Sequence, residues 1–108
     1  MAENSPVRSL EMRDFFGQTL VQLGLEFPRM LVLDADLHTS SKAGYFKAAY
    51  PDRFLQVGIA EQNLFGISAG LALEGFVPFP CTFAAFATRR ALDQVAISIC
   101  YPSLNVKI

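Results

Sequence analysis

The sequence predicts an α/β domain built on an open, mainly parallel sheet with helices on both faces. Short apolar runs alternate along the chain with longer segments of helical periodicity. The run Met-Leu-Val-Leu at residues 30–33 is apolar throughout, as expected of a strand that is buried on both faces of a parallel sheet. No internal repeat or low-complexity linker interrupts the 108 residues, so they predict at most one domain.

The first predicted element is an amphipathic helix that begins near Ser9 and ends before Pro28. Its apolar side chains recur at steps of three and four residues, as helical periodicity requires. They are Met12, Phe15, Phe16, Leu20 and Leu23. Residues 1–8 are interpreted as an N-terminal tail, and residues 9–108 as the domain.

Three further apolar runs predict strands, at residues 53–57, 76–79 and 105–108. Pro78 interrupts the second of these runs, which suits an edge or a strand end better than a central position. Because a parallel strand needs a neighbour or a covering helix on each side, the domain is expected to be incomplete at its C-terminal end. The intervening helices are predicted at residues 45–50, stopped by Pro51, at 60–74, ended by Gly75, and at 83–99.

Composition argues against several classes of function. Nine basic and ten acidic residues give a formal charge of −1, which provides no electrostatic footprint for nucleic acid or for an anionic membrane. No apolar run is long enough to span a bilayer. The N-terminus lacks the features of a signal peptide, so a cytoplasmic location is expected. Cys81 and Cys100 are too few for a disulfide framework and are both interpreted as core residues.

Polar and aromatic side chains follow the predicted strands at their carboxyl ends, where ligands bind in open parallel sheets. Each has an ordinary structural explanation as well, as a turn cap, a solvated loop residue or a core aromatic. They are Asp34, Asp36, His38 and Ser40 after the first strand, Glu61 after the second, and Thr82, Phe83 and Phe86 after the third.

Glu61 is the most informative of these residues. Gly58 allows the chain to turn from the second strand into the next helix, which places Glu61 in the first helical turn. The helix dipole alone would stabilise a negative charge there. The local pattern is therefore equally consistent with a functional carboxylate and with an ordinary acidic residue.

Four motifs, taken in order, give these residues a specific context. They are Leu-Asp-Ala-Asp-Leu at 33–37, Tyr-Pro-Asp-Arg-Phe at 50–54, Gly-Ile-Ala-Glu-Gln-Asn at 58–63 and Thr-Phe-Ala-Ala-Phe at 82–86. Together they resemble the pyrimidine-binding domain of transketolases, which are thiamine-diphosphate enzymes. The resemblance extends over residues 13–108, almost the whole chain.

The resemblance implies transfer of a two-carbon ketol unit between sugar phosphates. In the family, the glutamate that matches Glu61 hydrogen-bonds the ring nitrogen N1′ of the cofactor's aminopyrimidine and favours its imino tautomer. Phe83 and Phe86 match aromatic residues that surround this ring. Asp36 matches an aspartate that lines the cofactor and the subunit interface.

Two further residues match the substrate site of the family. Arg13 and Ser40 correspond to an arginine and a serine that bind the sugar phosphate, a role for which the planar fork of arginine is suited. The resemblance does not extend to the family's diphosphate-binding domain, with its Gly-Asp-Gly segment and Mg²⁺ ligands. It therefore implies that a partner domain or subunit binds Mg²⁺ and the diphosphate, that the enzyme is an oligomer, and that this chain alone is inactive.

Several alternatives remain open from the sequence. The chain is interpreted as the C-terminal subunit of a split transketolase or as a fragment of one. A deoxyxylulose-phosphate synthase-like subunit shares the Gly-Ile-Ala-Glu-Gln core but usually continues with histidine, where this chain has Asn63. The β-type subunit of pyruvate dehydrogenase is a more distant possibility. A truncated, non-catalytic interaction module is the alternative from a different class.

Overall fold

The computed structural model describes residues 11–108, so the predicted tail and the predicted helix start at Ser9 lie outside the described residues. The first three-quarters of this region alternates helices and strands, as the sequence predicts. The elements are α1 (Met12–Glu26), β1 (Met30–Asp34), α2 (His38–Ser41), α3 (Gly44–Ala49), a 3₁₀ turn (Pro51–Arg53), β2 (Phe54–Gln56), α4 (Glu61–Leu73) and β3 (Val77–Cys81).

The three strands form a parallel sheet in the order β2-β1-β3, with β1 in the centre. All five residues of β1 are buried. This burial explains the continuous apolar run, because helices cover both faces of the central strand. The predicted α/β class with an open parallel sheet is confirmed.

Alternate residues of β1 contribute to two separate cores. Leu31 and Leu33 pack with Leu64 and Phe65 of α4 on one face of the sheet. Met30 and Val32 belong to a second cluster on the other face, built from α1 and α3. The residues that complete this second cluster are Leu20, Ala43, Phe46 and Cys81.

Two prolines shape the outer edge of β3. The N–H of Val77 donates to Arg29 O on the side of β1 (2.9 Å). Successive residues of a strand direct their backbone groups to opposite sides, so Pro78 and Pro80, one and three residues later, lie at positions that face away from β1. Because proline has no N–H, this edge can accept hydrogen bonds but donates none at these positions. The prediction that the Pro78 strand lies at an edge agrees with the sheet order within residues 11–108.

The predicted last strand, residues 105–108, is wrong: this segment has no regular secondary structure and forms no ladder with β3. Its single bond to β3 runs from Lys107 N to Pro78 O (2.9 Å). The return bond that would complete a parallel pairing needs an N–H at Pro80, which proline lacks.

The helix predicted over residues 83–99 is interrupted rather than continuous. A π-helical turn (Phe86–Arg90) is followed by α5 (Leu92–Gln94) and by a second π-helical turn (Val95–Cys100). The wider turns keep Ala91 and Ile99 buried against the α4 core. Cys100, in contrast, is exposed, so its interpretation as a core residue is wrong.

The helices of the described region are short. The longest, α1, has 15 residues and α4 has 13. Within residues 11–108, no helix is both long and apolar enough to cross a membrane.

Two helical glycines provide a matched test of how closely α1 packs on α3. A methyl group at Gly17 would lie 2.6 Å from Cδ2 of Tyr45 in α3, whereas one at Gly70 of α4 has no neighbour within 4 Å. We expect Gly17→Ala to lower the free energy of unfolding by about 1–3 kcal/mol through overpacking. Gly70→Ala should raise it by about 0.5–1 kcal/mol through helix propensity. Urea denaturation of both variants measures the difference, and two changes of the same sign would contradict this packing.

Candidate functional site at the carboxyl edge of the sheet

The three strands end side by side, so the loops that follow them start at one edge of the sheet. Asp34, the last residue of β1, is paired in register with Gln56 of β2 and with Cys81 of β3. This alignment brings the segments that follow the strands close together, as the sequence predicted for the carboxyl ends of parallel strands.

Gln56 connects the first two loops through its side-chain amide. Its Nε2 donates to the fully buried carboxylate of Asp34 (2.6 Å). Its Oε1 accepts from the backbone N–H groups of Asp36 (2.8 Å) and Gly58 (3.0 Å). Both of these donating residues have positive φ angles, 61° and 78°, so the amide bonds to backbone at the two sharp turns. Sequence reasoning did not identify this role of Gln56.

Asp34 has further partners that the sequence did not reveal. Its carboxylate accepts from Leu37 N at 3.1 Å and lies 3.0 Å from Nδ1 of His38. His38 is therefore not the solvated loop residue that the sequence indicated, since its side chain is only 27% exposed. A buried carboxylate with these partners stabilises the loop after β1.

Glu61 is the first residue of α4, as predicted, and the structure buries it to 4% exposure. Its Oε1 accepts a hydrogen bond from Nη1 of Arg90 at 2.8 Å. The bond connects the start of α4 to the π-helical turn that follows β3. The sequence contains no signal for this pairing.

Aromatic side chains extend this cluster. The guanidinium of Arg90 lies 3.9 Å from the centroid of the Phe86 ring. Phe86 in turn stacks on Phe83, with centroids 5.9 Å apart and ring planes at 22°. Glu61, Arg90, Phe86 and Phe83 therefore form one continuous set of contacts at the carboxyl edge.

A cavity of about 560 Å³ opens beside Glu61. Besides Glu61 and Arg90 it is lined by residues of the α4 start and of α5: Ile59, Ala60, Gln62, Asn63 and Gln94. Oε1 of Gln94 is a buried acceptor without a hydrogen-bond partner in the described part of the chain. Such an atom fits a ligand that brings a donor into the cavity.

A second cavity, of about 690 Å³, lies between α1, α2 and the end of β3. Arg13, Ser40 and Phe83 all line it, together with Lys107. Nη1 of Arg13 also donates to Ser40 O at 3.3 Å, which connects α1 to α2 directly. The structure thus brings these two predicted substrate residues together, whereas Asp36 is exposed and lines neither cavity.

Two side chains that line the second cavity, Thr82 and Cys81, differ in what they offer a ligand. Oγ1 of Thr82 is buried and has no hydrogen-bond partner among the described residues, so it is free to bond a ligand. Burial and the nearby charge of Asp34 raise the pKa of the Cys81 thiol to about 12, so it stays protonated at neutral pH. Cys81 is therefore a packing residue here and not a nucleophile. Within residues 11–108, no cluster of three or more metal-ligating side chains is present.

The fold and this edge define an α/β domain that carries a buried acid beside stacked aromatic rings. A family profile described as "Transketolase, pyrimidine binding domain" matches residues 8–108. The chain belongs to this family. Transketolases are thiamine-diphosphate enzymes, in agreement with the class that the motifs indicated.

Individual relatives agree with this assignment. The putative transketolase C-terminal section of Methanocaldococcus jannaschii is 43% identical over 90% of this chain and 31% of its own length. The 6-deoxy-6-sulfo-D-fructose transketolase subunit SqwH of a Clostridium species is 42% identical over 90% of this chain and 30% of its own length. Several 1-deoxy-D-xylulose-5-phosphate synthases also match. The chain thus spans about a third of the length of the first two relatives.

A solved structure agrees with the fold. A split-gene transketolase, described as an inactive β4 tetramer, superposes with a TM-score of 0.82 at 51% identity. The match covers 91% of this chain and 32% of that one.

The Gln56 amide provides a test of how the two loops are held. Gln56→Glu replaces the donor to Asp34 with a second carboxylate, so we expect the free energy of unfolding at pH 7 to fall by about 2 kcal/mol or more. The loss should shrink as the pH is lowered, because the buried Asp34 carboxylate raises the pKa of the new glutamate, and the protonated carboxyl can then donate to Asp34. Gln22→Glu, at an exposed position of α1, is the control at each pH. Equal losses in the two variants would show that the amide does not connect the loops.

Proposed function

We propose that this chain provides the aminopyrimidine half of a thiamine-diphosphate site in a transketolase that transfers a two-carbon ketol unit between sugar phosphates. The supporting observation is the buried carboxylate of Glu61 at the start of α4, connected through Arg90 to the stacked Phe86 and Phe83 rings. A buried acid beside flat apolar rings suits a heteroaromatic ring with a basic nitrogen.

The residues around Glu61 fit this cofactor. The cavity of about 560 Å³ lies within the range of small-molecule sites, roughly 300–1,000 Å³. The wall of this cavity also carries Oε1 of Gln94, which has no partner among the described residues and can accept from an N–H group of a ligand or of Arg90. Glu61, Phe83, Phe86 and, from its family match, Asp36 are the residues that we assign to cofactor binding.

When bound, thiamine diphosphate supplies the carbon nucleophile that accepts the ketol unit. The part of this chain is to orient the ring and to hold a proton at N1′. Glu61 is the group that shares this proton, and it acts from the first turn of α4, where the helix dipole stabilises its negative form. Phe86 and Phe83 are reached from Glu61 through Arg90, and Phe83 lines the second cavity, so their assignment to the apolar faces of the ring rests on the family match.

Arg13 and Ser40 are assigned to the phosphate of the sugar substrate. Arg13 lines the second cavity with Lys107, which makes two positive charges available to an anion. An ion pair between Arg13 and Glu11 (2.6 Å) raises the pKa of Arg13 through its hydrogen bond, so the guanidinium stays charged. Because both members of this pair are exposed, a phosphate can replace Glu11 at little energetic cost.

A partner subunit completes the proposed enzyme. The expected Mg²⁺ and diphosphate ligands are assigned to a diphosphate-binding domain of that partner, in an oligomer. The similar split-gene transketolase is an inactive tetramer of β chains, which supports a requirement for a second kind of chain. A cytoplasmic location stays a prediction from the sequence.

A deoxyxylulose-phosphate synthase-like subunit is the alternative within the same chemistry, since such synthases are among the relatives. Asn63 lines the Glu61 cavity at the position where those enzymes usually carry histidine, and it favours the transketolase function.

Glu61→Gln tests the proposed acid directly. In the enzyme reconstituted with a diphosphate-domain subunit, we expect ketol-transfer turnover to fall at least about 100-fold, because an amide cannot exchange a proton with the ring nitrogen. Thermal unfolding should change little, since the glutamine Oε1 can still accept from Arg90. Glu74→Gln, just beyond the other end of α4, is the charge-matched control. Turnover equal to that of the wild-type enzyme would remove Glu61 from this role.

Arg13→Ala tests the phosphate assignment. We expect the Michaelis constant for phosphorylated sugars to rise about tenfold or more, as for the loss of a charge-assisted hydrogen bond, while that for unphosphorylated sugars changes little. Steady-state kinetics with both substrate types measures the difference, and Lys47→Ala, at an exposed position outside both cavities, is the control. Equal effects on both substrate types would refute the assignment.

A further inference from the structure

Arg90 holds the carboxylate that the proposed cofactor requires. We propose that Arg90 is a displaceable counter-ion of Glu61: it neutralises the carboxylate when the aminopyrimidine is absent and competes with the ring nitrogen for it. This inference rests on the proposed function. It assigns Arg90 as a positioning residue, because it acts on the cofactor through Glu61.

The need for a counter-ion follows from the burial of Glu61. A carboxylate that is 4% exposed has lost most of its hydration and requires a partner of opposite charge or several hydrogen bonds. Arg90 supplies this partner through one bond, from Nη1 to Oε1 at 2.8 Å. The pair lies at the wall of the cavity that we assign to the ring.

The attachment of Arg90 is suited to displacement. Its side chain is 54% exposed, so its charge remains largely hydrated when it leaves Glu61. The guanidinium also lies over the Phe86 ring at 3.9 Å, a contact that holds it near the site without using its hydrogen-bond donors.

Gln94 offers a second acceptor for the same guanidinium. It lies in α5, the next helical segment after Arg90, and it lines the same cavity. Its Oε1 is buried and unpartnered within residues 11–108. Transfer of one Arg90 N–H from Glu61 to Gln94 would free the carboxylate and satisfy this acceptor in the same movement.

The competition has a measurable consequence for affinity. For a ligand that needs a free Glu61, the apparent dissociation constant equals the intrinsic one divided by the fraction of molecules in which Glu61 is free. If Arg90 occupies Glu61 in about nine of ten cofactor-free molecules, the dissociation constant of thiamine diphosphate is raised about tenfold. Removal of Arg90 should therefore tighten binding, the opposite of what loss of a direct cofactor ligand would do.

The test is a double-mutant cycle read by binding rather than by turnover. Isothermal titration of thiamine diphosphate with Mg²⁺ is carried out on complexes of the chain with a diphosphate-domain subunit. The variants are Arg90→Met and Glu61→Gln, singly and combined. Arg89→Met removes the same charge at the neighbouring exposed position and is the matched control. Arg90→Gln replaces Arg90→Met if the latter does not fold.

When Glu61 is present, we expect Arg90→Met to lower the dissociation constant of thiamine diphosphate about tenfold. In the Glu61→Gln background, the same substitution should change the dissociation constant less than about twofold. Arg89→Met should have no effect in either case. Weaker or unchanged binding by Arg90→Met would overturn the inference, while the proposed function would stand if the wild-type complex binds. If the wild-type complex takes up no thiamine diphosphate, the proposed function fails and the inference fails with it.

Discussion

The burial of β1 on both faces is the constraint on which the rest of the structure depends. Its five residues are all buried, so helices must cover both sides of the sheet and a strand must pair along each edge. The two cores that result separate α1 and α3 from α4. The same strand ends in Asp34, whose position in register with Gln56 and Cys81 sets where the following loops begin. The candidate site therefore follows from the packing of one strand.

Two buried carboxylates near this edge are partnered in different ways. Asp34 is fully buried and contacts the Gln56 amide at the end of β2, the Leu37 N–H and the His38 ring at the start of α2. Glu61 is almost as buried, but its hydrogen bond comes from one half-exposed arginine. A carboxylate with several internal partners is typical of a structural role, whereas one with a single replaceable partner is suited to bind a ligand. This difference supports our choice of Glu61 as the residue that meets the cofactor.

Local sequence patterns predicted most of the fold because they report burial and turn geometry directly. The apolar run of β1 and the strand-to-helix turn at Gly58, whose φ is 78°, are both confirmed. The last strand was wrong because its pairing depends on Pro80, a residue of another segment that donates no hydrogen bond. In the site, the position of Glu61 was predictable from its helix start. Its partner Arg90 was not, because Arg90 lies in the π-helical turn Phe86–Arg90, which helical periodicity does not predict, and the contact spans 29 residues. The role of Gln56 was not predictable either, because it depends on hydrogen bonds to backbone N–H groups of two different loops.

The central claim is that Glu61 lies against the ring nitrogen N1′ of thiamine diphosphate. The direct measurement is the ¹⁵N resonance of cofactor labelled at N1′, bound to this chain in complex with a diphosphate-domain subunit. We expect binding to move this resonance far from its position in free cofactor, because the nitrogen enters a hydrogen bond with a buried acid. We expect most of that shift to be absent with Glu61→Gln. A bound cofactor whose N1′ resonance matches that of the free compound, or is unaffected by the substitution, would contradict the account.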